Sequence, residues 1–183
     1  RIAVCSQFVL ERTACLVDVS GGVEVRFTVA LPASGRSIEG IWCARVLCER
    51  ALDLALKAVV AREDADLARH IASVIKQRSL RDALAAKGLV AFIGDGALLA
   101  RRAGNDDRPM VDGAVAFDSK KCGGLRVELN GVTGLGLPLG LSLICGGGFH
   151  GKSTLLQALQ VGCFDKVPGD GRELCVSDPN CVK

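Results

Sequence analysis

At 183 residues and 19.1 kDa, the chain is long enough for one complete domain, or for a small domain and the opening of another. Apolar residues make up 49% and charged residues 23%, which excludes wholesale disorder. A net charge of only +3 gives no compositional argument for nucleic-acid binding. With no Tyr, one Trp and six scattered Phe, a base-stacking platform rich in aromatics is excluded too.

The chain opens on Arg1 rather than Met and reaches Lys183 directly after a strand-like stretch, so the expectation is a segment of a longer protein. No basic stretch followed by an apolar core and a small-residue cleavage site marks a signal peptide. Thr13 to Ser20 and Val23 to Leu31 are rich in Val, Thr, Cys and Phe on either side of Gly21-Gly22, which predicts two strands joined by a two-residue turn, ended by Pro32. From Ile41 to Arg62 the period changes. Arg45, Glu49, Asp53 and Lys57 recur every four residues, a charged and solvated stripe along a long helix. Asp64 or Asp66 opens a second helix through Ile75, and Ser79 a third that stops at Lys87-Gly88.

Leu89 to Ile93 reads as a short buried strand and Gly94-Asp95-Gly96 as the turn after it. Arg101-Arg102 and the polar loop Gly104 to Pro109 follow, then a strand at Leu125 to Leu129, glycine-rich punctuation, and a strand at Leu141 to Cys145. The segment Ser119 to Gly124 is the expected boundary between a β-hairpin-plus-helices module and an α/β domain. The charge-free run between Glu128 and Lys152 raises the question of a membrane span. Its Gly134, Gly136, Pro138, Gly140 and Gly146 to Gly148 argue against one, because they would leave backbone groups unpaired in lipid.

Nine cysteines, Cys5, Cys15, Cys43, Cys48, Cys122, Cys145, Cys163, Cys175 and Cys181, include no CxxC pair, and only His70 and His150 could add imidazole. That spacing does not make a zinc site, so reduced thiols in an intracellular compartment are expected, either cytosol or mitochondrial matrix.

The densest chemistry lies at Gly146-Gly147-Gly148-Phe149-His150-Gly151-Lys152-Ser153, which meets every specified position of GxxxxGK[ST] and is followed by Thr154. An apolar strand before it and an amphipathic helix after it, Lys152 to Gln160 with Gly162 as the stop, form the context in which this motif cradles phosphate. Backbone N–H groups of Gly148 to Ser153 and the helix dipole would face a β-phosphate. Lys152 would reach the β- and γ-phosphates, Ser153 would ligate Mg²⁺, and Thr154 would meet the α-phosphate. Phe149 and His150 stand outside the loop, and His150 has no visible partner for proton transfer. Asp178 has the outline of a magnesium carboxylate at a strand end, but Ser177 interrupts the apolar run and Asp178-Pro179 reads equally as a turn. No Asn-Lys-x-Asp segment for guanine follows.

The stretch Gly134 to Leu156, with Pro168-Gly-Asp-Gly-Arg-Glu173 and Asp178-Pro179 behind it, resembles the ABC-class ATPases, a P-loop family of bacteria and protists. Val9-Leu-Glu-Arg-Thr13, Arg26 to Pro32, Gly88 to Phe92 and Asp106-Asp-Arg-Pro109 extend the likeness over nearly the whole chain. The resemblance implies an α/β fold: an upstream α+β domain over residues 1–124, then the start of a P-loop nucleotide-binding domain over 125–183. It implies ATP and Mg²⁺ as ligands, and hydrolysis residues beyond Lys183. Protist relatives of this kind include a kinetoplastid mitochondrial ATPase associated with RNA editing, a ring-like dimer. RNA, a homodimer, an RNA-processing complex and the mitochondrial matrix are therefore expectations that rest on the resemblance. The basic residues available for RNA are Arg36, Arg101, Arg102, Arg108, Lys120 and Lys121, each of which reads equally as solvated charge. A P-loop kinase of a nucleotide or small metabolite and a non-catalytic scaffold fixed by nucleotide remain alternatives. No membrane is implied.

Overall fold

The computed structural model of the protein describes residues 6–60 and 64–181. They fall into two compact units. One is built from Glu11–Leu67; the other combines the stretch ending at Leu10 with the chain from Ala68 onward.

Strand β1 (Phe8–Val9) belongs to the second unit. In the first unit, β2 (Cys15–Val17) and β3 (Val23–Val25) pair antiparallel, with Val17 opposite Val23. The expected two-residue turn is therefore a five-residue loop, Asp18 to Gly22. Asp18 organises it: its Oδ1 accepts from the Ser20 N–H, the Ser20 hydroxyl and the Gly22 N–H at 2.6–2.8 Å. Those bonds, the Ser20 hydroxyl first, hold the Asp18 carboxyl below its ordinary range. Next come the small hairpin of β4 (Ala33–Ser34) and β5 (Ser37–Ile38), helix α1 (Gly40–Arg45), a π-helical turn (Val46–Arg50) and α2 (Ala51–Val60). The Asp53–Lys57 pair of the charged stripe forms at 2.8 Å. The expected helix end at Arg62 lies outside the described residues. Among the described side chains of this unit only Cys43 is buried, its thiol bonded to the Pro32 carbonyl.

Helix α3 (Asp64–Ala86) is continuous where the sequence suggested two helices. Ser79 does not start a helix. Nothing between Ile75 and Ser79 breaks one, Gln77 and Leu80 are buried, and the Ser79 carbonyl and hydroxyl both accept from the Asn130 amide. The stop at Lys87-Gly88 is where glycine predicted it, with Gly88 at φ +65.

The core of the second unit is an antiparallel sheet in the order β12-β6-β10-β9. Its strands are β6 (Leu89–Gly94), β9 (Leu125–Leu129), β10 (Val132–Pro138) and β12 (Cys175–Ser177), with the hairpin of β7 (Arg101–Ala103) and β8 (Asp106–Pro109) inserted after β6. Helix α4 (Lys152–Gln160) and strand β11 (Asp165–Lys166) complete the unit, and β1 pairs with β11. One sheet face packs Leu89, Phe92, Leu129, Val132 and Val176 against Leu80 and Leu84 of α3. The other packs Ala91, Ile93, Leu135 and Cys175 against Ala158 and Leu159 of α4. A bulge in β6, where Leu137 faces Ala91 and Pro138 faces Leu89, shifts parity so that Leu89 and Phe92 share the α3 face.

Strand β10 lies in what the sequence presented as glycine-rich punctuation. Its glycines serve packing: a Cβ on Gly134 would sit 2.7 Å from the Phe92 ring, and one on Gly136 would sit 2.9 Å from Leu89. Small residues there admit the large ones of β6. The expected boundary at Ser119 to Gly124 falls within the second unit, because β6 on one side of it pairs with β10 on the other.

Gln77 of α3 reaches β11, where its amide donates to the Lys166 carbonyl at 2.9 Å and accepts from the Lys166 N–H at 2.7 Å. Among the described residues no helix is long and apolar enough to cross a membrane.

Candidate functional site

Helix α4 starts where the motif requires. Gly151 is its N-cap at φ +80, a left-handed conformation that favours glycine, and no side chain caps it. The first helical bond is Leu155 N–H to the Gly151 carbonyl, so the N–H groups of Lys152, Ser153 and Thr154 have no acceptor among the described residues. Leu155, Ala158 and Leu159 pin the helix to the sheet. Gly146 to Gly148 and Ser153 are exposed, whereas Lys152 and Thr154 are half-buried. The Lys152 ammonium donates to the Gly146 carbonyl at 2.7 Å and to the Gly147 carbonyl.

His150 lies over Gly147, where a Cβ would meet its ring at 2.9 Å; a Cβ on Gly148 would meet nothing within 4 Å. Phe149 stands fully exposed at φ +61. The donor set fits a polyphosphate: uncapped N–H groups at a helix N-terminus, one ammonium beside them and an exposed hydroxyl.

One expectation about the surroundings does not hold, and one open reading, that of Asp178, resolves to a turn. Leu141 to Cys145 forms no strand. Leu141 and Leu143 are exposed and only Ile144 packs against the α4-side core, since among the described residues no strand offers this stretch a ladder partner. Asp178 is drawn into a turn, its carboxylate accepting from the backbone N–H and side-chain amide of Asn180. Its own N–H continues the β12 ladder by bonding the Val90 carbonyl. Among the described residues no cluster of three or more Asp, Glu, His or Cys could hold a metal ion.

A family model described as a P-loop domain of the ABC ATPases matches residues 63–183, and one described as the N-terminal part of the ABC-class ATPases matches residues 1–62. The chain belongs to the ABC-class ATPase family. No curated protein matches it. The junction between the two matches, at 62/63, lies close to the division between the compact units at Leu67/Ala68.

Within this ATPase domain the structure shows a buried ionic cluster that motif reading missed. It is centred on the Pro168-Gly-Asp-Gly-Arg-Glu173 segment that carried the resemblance. Asp170 is fully buried and accepts from Arg101 at 2.8 Å; Arg101 also donates to the Asp170 carbonyl. The other oxygen of Asp170, Oδ2, has no hydrogen-bond partner among the described residues. Burial pushes the Asp170 carboxyl up, and Arg101 opposes the shift. Arg172 bonds the Leu99 carbonyl through two nitrogens at 2.6 and 2.9 Å. Burial, then the like charge of Arg101, pushes it down to about 10. Asp165 receives Arg78 and Arg81 from α3.

Lys166 is buried, bonded to the Val161 and Phe164 carbonyls and 4.6 Å above the Phe8 ring. Burial pushes its ammonium down to about 8 against the pull of Asp170. The one available sequence signal was the spacing of charge among glycines in residues 168–173, which sequence reading used only as a family mark.

Several basic residues expected to be available for RNA are already committed. Arg101 is buried in the Asp170 pair rather than presented to solvent, because its guanidinium is what compensates that carboxylate. The exposed Arg108 is held by Asp106 at 2.6 Å, and that contact pushes the half-buried Asp106 carboxyl down to about 2. Lys121 faces Asp118 at 3.8 Å. Arg36, Arg102 and Lys120 are exposed, with Arg36 in the first unit.

Proposed function

We propose that Gly146 to Thr154 binds the phosphates of ATP with Mg²⁺ and that the domain hydrolyses the bound nucleotide. What carries the reading is the uncapped start of α4 beside the Lys152 ammonium, which is turned onto carbonyls of its own loop. An ammonium held only by two neutral carbonyls exchanges them readily for a phosphate oxygen, a charged acceptor and so a stronger one. The N–H groups of Lys152, Ser153 and Thr154 then meet phosphate oxygens, with Thr154 nearest the α-phosphate. The Ser153 hydroxyl faces Mg²⁺, which supplies charge neutralisation across the β- and γ-phosphates. Gly146, Gly147 and Gly148 keep side chains out of the approach, and Phe149 and His150 line the outer side of the loop.

RNA is not part of this proposal, since Arg101 is buried against Asp170 and Arg36 belongs to the other unit.

Titration with a fluorescent ATP analogue and Mg²⁺ tests the reading. Saturable binding in the wild type that weakens about tenfold or more in Lys152→Ala is the expected result. Equal affinity in the two proteins overturns it. Phosphate release from ATP, measured on the same pair, reports hydrolysis separately.

A further inference from the structure

Beyond α4's phosphate-facing end, a cavity of about 210 Å³ opens beside its C-terminal half, lined by Gln157 and Gln160 of the helix, Phe8 of β1, Arg101, Arg172 and Asp107. All of these residues belong to the second unit. The volume suits a group of a few atoms and is small for a nucleoside or a drug-sized ligand, whose pockets start at about 300 Å³.

The charge arrangement is unusual. Arg172 is only 2% exposed, yet among the described residues its guanidinium has no carboxylate at ion-pair distance. Its side-chain bonds go to a neutral carbonyl, that of Leu99. Asp170 is in contact with Arg101, and toward Arg172 it accepts only the backbone N–H, at 3.3 Å. Asp107 is exposed to water at the cavity edge, where its charge is screened. A buried guanidinium with no carboxylate in contact is costly, and the nearby Arg101 raises the cost, while Asp170 and Asp107 offset it only from a distance. An anion admitted to the cavity would relieve both. The carboxamides of Gln157 and Gln160 can turn N–H groups toward such an anion without adding a competing charge.

We propose that this cavity binds a small soluble oxyanion, a phosphate or carboxylate group, seated against Arg172 and hydrogen-bonded by Gln157 and Gln160. The site is separate from the phosphate loop and does not depend on the ATP reading.

In the full-length chain Lys152→Ala weakens the loop's own hold on phosphate, and the binding that remains is assigned to the cavity by its response to a change in the cavity wall. Calorimetric titration of that protein with inorganic phosphate, and separately with acetate at matched ionic strength, is expected to give one saturable site for at least one of the two. Whichever anion binds identifies the group the site takes. Gln160→Glu, added to the same background, places a carboxylate at the cavity wall and is expected to weaken binding about tenfold or more. Arg172→Gln is expected to abolish binding, but it also loses the bonds to Leu99. Gln160→Glu, at a half-exposed position with folding checked by melting temperature, therefore decides. Failure of both anions to bind, or binding indifferent to Gln160→Glu, overturns the proposal. If wild type and Lys152→Ala bind phosphate identically, the loop reading is weakened while the cavity result stands.

Discussion

Two glycine-rich segments flank helix α4, and they use glycine for opposite ends. Gly146 to Gly151 leads into the helix as an exposed loop whose N–H groups and ammonium face outward or onto its own carbonyls. Pro168 to Glu173 follows the helix and is folded inward, with Asp170 and Arg172 buried and Gly171 at φ +86 against Leu98. In the first segment the missing Cβ leaves room for a ligand; in the second it lets charged backbone and side chains pack at close range. Similar composition therefore says little about exposure. What separates the two is whether the charged side chains are drawn into the fold, as Asp170 and Arg172 are, or left at its surface.

The sharpest way to break the contrast is to remove the partner. Asp170→Ala leaves Arg101 buried and uncompensated and is expected to destabilise the domain by about 3–5 kcal/mol in chemical denaturation. Lys152→Ala, whose ammonium bonds only loop carbonyls, is expected to leave the denaturation midpoint unchanged within error.

A glycine pair refines the same point. Gly134→Ala drives a methyl into Phe92 within the sheet and is expected to cost about 1–3 kcal/mol. Gly148→Ala meets nothing and is expected to change stability by less than about 0.5 kcal/mol while weakening ATP binding.

A pH titration probes the buried charges as a group. The folded pKa of Lys166 lies at about 8, below the ordinary 10.5, so between those values the unfolded chain holds the proton and the folded one does not. Stability therefore gains from this group as pH rises from about 8 toward 10.5, and Lys166→Gln is expected to remove that slope in pH-dependent denaturation.

The smallest effect concerns thiols. Cys175, buried in the sheet with its thiol pushed up to about 12, is expected to be alkylated last under native conditions, after the exposed Cys15, Cys48 and Cys145.

These differences also explain what the sequence could disclose. The motif Gly146 to Ser153 and helix α4 were legible because glycine, lysine and helical periodicity sit at fixed spacing in contiguous sequence. Strands β6 and β9 were legible from apolar runs. Strand β10 was not, because Gly134 and Gly136 read as turn residues until Phe92 and Leu89, some forty residues earlier, are seen to occupy the space they leave. The break foreseen at Ser79 failed for a related reason. A serine marks a helix start only when its hydroxyl turns to the following N–H groups, and here Asn130 claims it. Leu141 to Cys145 has the composition of a strand, but composition does not supply a neighbouring strand to bond with. The pairing of Arg101 with Asp170 joins residues 69 apart in sequence and carries no local periodicity.

The grip of Gln77 on Lys166 is what allows that residue's peptide groups to be buried. Strand β11 is paired on one side by β1, and on its other side the Gln77 amide occupies both the N–H and the carbonyl of Lys166, as a neighbouring peptide group would. Lys166 is 1% exposed, so its peptide groups meet no water there, and a single side chain stands in for the missing third strand.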